Sequence, residues 1–70
     1  MNTVLLKVAM LKNNDTQLKL AEALHLPASA VSERINGKRD FRQNEMDIIK
    51  KRYNLTPEEM VAIFFAEEVS

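Results

Sequence analysis

Apolar residues recur at helical spacing along this chain, as in Leu20-Ala21-Leu24 and Val31-Ile35, and no segment alternates with the period of two that a strand needs. One glycine, two prolines and abundant Leu, Ala, Glu and Lys favour helices further. The pattern predicts an all-α fold, a compact five-helix bundle formed by residues 1–70 as one domain.

The first helix is expected from about Thr3 to Lys12, with Leu5, Leu6, Ala9 and Met10 as its apolar stripe, closed by the polar break Asn13-Asn14-Asp15. Thr16 is a good N-cap for a second helix, Gln17 to about Leu24, which stops near His25. Leu26 reads as a buried turn residue. Pro27 then opens a third helix, where a first-turn proline loses no hydrogen bond, and this helix ends at Asn36-Gly37. Gly37 stands where a helix C-terminus favours positive φ.

Phe41 is expected to anchor the next loop, before a fourth helix from about Gln43 to Tyr53 carrying Met46, Ile49 and Tyr53 on one side. Lys50-Lys51-Arg52 near its end is explained by the negative end of the helix dipole, and reads as a solvated face. Thr56-Pro57-Glu58-Glu59 is the clearest start signal: an N-cap threonine, a first-turn proline and a glutamate three residues after the cap. The fifth helix should run to about Glu67, with Met60, Ile63 and Phe64 inward and Val61 and Phe65 on another side, available to a protein partner.

Seventy residues bury a modest core that usually contributes only about 3–5 kcal/mol unaided, so dimerisation or a partner would help. With no cysteine there is neither a disulfide nor a thiolate metal site, which suits a cytoplasmic setting. The longest apolar run, Met60 to Ala66, is far short of the roughly 20 residues of a bilayer span, so neither a membrane anchor nor a signal peptide is expected.

Ten basic and ten acidic residues cancel, so any nucleic-acid contact must come from a local patch rather than bulk charge. Arg34, Lys38, Arg39 and Arg42 cluster with only Asp40 opposing them, whereas Glu58, Glu59, Glu67 and Glu68 crowd the C-terminal end. A single histidine and no Gly-rich loop leave no nucleophile-base pair, phosphate cradle or metal site, so neither an enzyme nor a cofactor is expected. Glu22, Glu33 and Glu45, on separate helices, read as surface charges.

The stretch from Gln17 to Lys38, QLKLAEALHLPASAVSERINGK, resembles the helix-turn-helix of the phage Cro and repressor-like (XRE-type) regulators. Ala21 is small enough for two helices to cross closely, and Val31 pins the second against the first. The resemblance implies a lambda-repressor-like bundle whose helix 28–36 faces the major groove of double-stranded operator DNA, with Ala28, Ser29, Ser32 and Glu33 near base edges. It also implies phosphate contacts from Gln17 at a helix N-terminus and from the amides and lysine of Asn36-Gly37-Lys38, extended by Arg39 and Arg42.

The chain departs from the family pattern in three places. His25 replaces the usual turn glycine. Arg34 occupies the position before the apolar Ile35. The recognition residues include no Arg, Asn or Gln, whose bidentate contacts contribute about 1–3 kcal/mol of base discrimination, so DNA shape is expected to share the readout. Glu33 could accept from a cytosine amino group if Arg34 or another cation offsets its charge. A homodimer on a two-fold operator is one expectation; a phage antirepressor that docks on a repressor protein through Val61 and Phe65 is the alternative.

Overall fold

The structure is a computed structural model and describes residues 1–65. Five helices follow one another: α1 Thr3–Lys12, α2 Gln17–Leu24, α3 Ala28–Ile35, α4 Gln43–Tyr53 and α5 Pro57–Met60, the last continuing as a π-helical turn over Val61–Phe65. Among the described residues there is no strand. The predicted extension to Glu67 and the acidic pair Glu67 and Glu68 lie outside the described residues.

Side-chain oxygens start three of the helices. Asn2 Oδ1 accepts the Leu5 N–H at 3.0 Å, and Thr16 Oγ1 accepts that of Lys19 at 3.2 Å. Thr56 and Glu59 form a reciprocal capping box, at 2.9 and 3.1 Å. The Thr56 N–H holds the Glu59 carboxyl below its ordinary range.

Four helices end the same way. The residues at positive φ are Asn14, His25, Gly37 and Asn54. After each, the following N–H reaches back five residues: Asp15 to Met10, Leu26 to Ala21, Lys38 to Glu33 and Leu55 to Lys50, at 2.9–3.0 Å. The left-handed residue itself donates three residues back, which completes the Schellman arrangement in every case. Each helix thus stops and its chain reverses within a few residues, which lets short helices close around one core.

That core is built from Leu6, Leu20, Val31, Ile35 and Ile49, all fully buried, ringed by Leu24, Phe41, Tyr53, Leu55, Met60 and Ile63. Burying each large aliphatic side chain contributes about 1.5–3 kcal/mol. Ala21 is buried on α2, which packs against α3, and Phe41 meets Phe64 edge to face at 5.7 Å.

Some expectations need correction. Leu5 belongs to no core stripe: it stays partly exposed and lines a groove between α1 and the last helix with Val8, Ala62 and Ile63. Leu26 is half-buried. Pro27 precedes α3 rather than opening it. The fifth helix widens to π geometry after Met60, where the Ile63 carbonyl accepts the Asn2 N–H and ties this turn to the N-terminus.

Arg52 is exposed, as Lys50 and Lys51 are, but it is paired. It grips Asp15 with both ends of its guanidinium, Nε to Oδ2 at 2.8 Å and Nη2 to Oδ1 at 2.9 Å, and the Tyr53 hydroxyl donates to the same carboxylate. The Asp15 side chain is only 3% exposed. The Arg52 hydrogen bond holds its carboxyl down to about 2, while burial and then Asp15 push the Tyr53 hydroxyl up. The triad clamps the α1–α2 turn to the end of α4.

A carboxyl lowered on folding contributes stability that is present above its unfolded pKa and lost as pH falls through the folded one. For Asp15 that window runs from the ordinary 3.8 down to about 2. Asp15→Asn should therefore cost about 2 kcal/mol at neutral pH, with the gap to the parent closing across this window in urea denaturation. A gap independent of pH would show that the carboxylate's charge is not what stabilises the clamp.

Candidate nucleic-acid interface

Helix α3 is short, and its inner face is spent on the core through Val31 and Ile35. Its outward residues are Ala28 and Ser29, both exposed, followed by Ser32 and Glu33, both half-buried. Asn36 Nδ2 donates to the Ser32 carbonyl at 2.9 Å and to its hydroxyl at 3.3 Å, so Ser32 and Asn36 are held together.

Arg34 departs from the sequence reading. Its side chain is 8% exposed and turns inward, where Nε meets Glu45 Oε1 at 2.9 Å and Nη1 donates to the Ala30 carbonyl at 3.1 Å. Arg34 therefore leaves the basic cluster. Glu45 is not a surface charge but a buried partner, 4% exposed. The same Oε1 accepts the Arg42 N–H at 2.9 Å, so one carboxylate joins α3 to the start of α4.

The cation that offsets Glu33 is Arg39 rather than Arg34, with Nε to Oε2 at 2.9 Å on the surface. Glu33 is thus a paired charge, unlike the exposed Glu22. The amides of Asn36-Gly37-Lys38 are not free to grip phosphate. The N–H of Asn36 bonds the Ser32 carbonyl, that of Gly37 the Arg34 carbonyl, and that of Lys38 the Glu33 carbonyl. What remains at this corner for an anion is the side chains of Lys38 and Arg42, both exposed.

Gln17 is exposed at the first position of α2. As the first two residues of α2, Gln17 and Leu18 have N–H groups without an intrahelical partner. Gln17, Thr16 and Asp15 share a shallow groove with Ile35, which brings the start of α2 beside the end of α3. Val61 and Phe65 lie on the last helix, each more than half exposed.

Residue pairing was the part of the site that sequence reasoning missed. Arg34 is four residues from Ala30 and Glu45 is three from Arg42, spacings that fit the contacts seen, but nothing along the chain marks either side chain as inward.

Two short helices, α2 and α3, packed together with Ala21 buried, the left-handed turn at His25 and an outward face on α3 are the geometry of a helix-turn-helix. A helix-turn-helix family model matches residues 6–60. The chain belongs to the XRE-type, Cro and repressor-like helix-turn-helix family. No curated protein and no solved structure matches it. The family is one of DNA-binding transcription regulators, and this helix-turn-helix protein is a member on most of its length. No helix among the described residues is long and apolar enough to cross a membrane.

Removing one partner of a buried ion pair leaves the other uncompensated, so Glu45→Ala should cost about 3–5 kcal/mol in urea or thermal denaturation. Replacing both partners with apolar residues, Arg34→Met with Glu45→Leu, should restore most of it. A Glu45→Ala loss below about 1 kcal/mol, the range of surface pairs, would show the pair to be peripheral.

Proposed function

We propose that this helix-turn-helix protein is a sequence-specific regulator of phage Cro or repressor type that sets α3 into the major groove of double-stranded operator DNA. The observation that carries the reading is the outward face of α3, Ala28, Ser29, Ser32 and Glu33, flanked at one end by exposed Lys38 and Arg42. Gln17 and the open N–H groups of α2 supply a phosphate contact at the other side. Asn36 positions Ser32, and Arg39 both offsets Glu33 and adds charge at the rim. On this reading the protein works in the cytoplasm.

Two copies on a two-fold operator fit this reading, because one copy offers few phosphate contacts. Apolar surface for such pairing is present: Val61 and Phe65 on the last helix, and Val4, Val8 and Leu11 on the outer face of α1. The same surface supports a second reading, an antirepressor that docks on a phage repressor protein and blocks its operator contact. Its docking residues would be Val61 and Phe65.

On DNA carrying its own regulatory region, binding should weaken with salt at a slope near −0.9 per phosphate contacted. Lys38→Glu with Arg42→Glu should abolish it in a gel-shift titration. Salt-insensitive binding, or none at low salt, would sink the DNA reading.

The second reading predicts a different pattern. In a reporter held silent by a phage repressor, the chain should relieve repression. Phe65→Asp should remove that relief and Lys38→Glu with Arg42→Glu should not. The opposite pattern would exclude repressor docking.

A further inference from the structure

Glu33 meets the loop after α3 with both its carbonyl and its carboxylate. Its carbonyl accepts the N–H groups of both Lys38, at 2.9 Å, and Arg39, at 3.3 Å, while its carboxylate is gripped by the Arg39 side chain at 2.9 Å. The loop after α3 therefore folds back on this one residue, by backbone and side chain together. The pair is open to solvent, with the Glu33 side chain 45% and the Arg39 side chain 67% exposed. The Lys38 bond is the helix-ending bond found at all four stops, so the two Arg39 bonds are what sets Glu33 apart.

Its chemistry fits reading a base. Oε2 is occupied by Arg39, and among the described residues no donor reaches Oε1. One open acceptor oxygen matches the single amino group that cytosine shows in the major groove. Guanine and thymine present acceptors there, which repel a carboxylate, and adenine sets its N7 acceptor beside its amino group. A bare carboxylate would also be repelled by the neighbouring phosphates, and Arg39 cancels that charge while leaving its Nη groups free to reach a phosphate. We propose that Glu33, clamped by Arg39, selects cytosine at one position of each half-site. Arg39 is then a positioning residue as well as a phosphate contact. The proposal rests on the DNA-binding reading given above.

Selection from random-sequence duplex DNA tests it, followed by titration of the recovered site. The parent chain should enrich a site with one cytosine whose replacement weakens binding by about 5- to 100-fold. Glu33→Gln should move that position to adenine, which glutamine can contact through two hydrogen bonds, and keep the rest of the site. Arg39→Ala should weaken binding more in the Glu33 background than in the Glu33→Gln background, because only the former leaves an uncompensated carboxylate. An enriched site that is unchanged by Glu33→Gln overturns this proposal and leaves DNA binding standing. Equal effects of Arg39→Ala in the two backgrounds overturn the clamp. Failure to enrich any site overturns both the proposal and the DNA reading.

Discussion

The buried contact between Arg34 and Glu45 is the constraint on which the presentation of the recognition helix depends. Arg34 lies on the helix that faces outward, Glu45 on the first turn of the helix behind it, and the shared oxygen also fixes the Arg42 amide. The loop from Asn36 to Arg42 is therefore pinned at both ends. Desolvating two charges costs as much as their attraction returns, so the pair's value is in arrangement rather than in net stability. An apolar pair could fill the same space, but it could not accept the Arg42 N–H. The loop's cations, Lys38, Arg39 and Arg42, thus hold their positions relative to α3 because a carboxylate, and not a methyl group, sits beneath them.

Most of the fold was legible because helix starts and stops are local events. Thr16, and Thr56 with Glu59, are caps whose partners lie three residues away, and the structure uses each as the sequence suggests. The stops were harder. Gly37 was readable as a left-handed terminus, but Asn14 and Asn54 do the same work with a side chain that tolerates positive φ only at some cost. His25 was readable through the resemblance, since it stands where the family has a left-handed turn glycine and histidine tolerates that backbone at some cost. After it, the Leu26 N–H bonds the Ala21 carbonyl and the Leu26 side chain rests against the core. The widening after Met60 was not legible at all: it coincides with the bond from Asn2 to Ile63, a contact between the two ends of the described chain.

The sequence placed the candidate interface on α3 but did not give its charge. Counting cations from Arg34 to Arg42 finds a patch, yet pairing is a property of three dimensions. Arg34 is drawn inward by a carboxylate eleven residues away, and Asp15 meets Arg52 across thirty-seven. Only helix geometry plus the direction of each side chain decides which charges remain outside. After those pairings, Lys38 and Arg42 are the exposed cations of the cluster that make no ion pair among the described residues, and Arg39 shares its charge with Glu33.

That remainder bears on how such a protein could regulate at all. A module that neutralises only a few phosphates gains little from counterion release, and its affinity would fall modestly with salt. It also starts from a net charge of zero, without the long-range attraction that brings basic proteins to DNA. On the proposed reading, two consequences follow. Selectivity must come from a small number of well-held groups, of which Glu33 is the most constrained, because weak backbone attraction leaves little non-specific binding to overcome. Occupancy must come from pairing two copies, since linking two sites converts the second contact into an intramolecular one at millimolar effective concentration. The apolar outer faces of α1 and the last helix are where that pairing has surface to use. A low-charge recognition surface and an exposed apolar face are then two parts of one arrangement: the first keeps a single copy from lingering on DNA, and the second lets a matched pair stay.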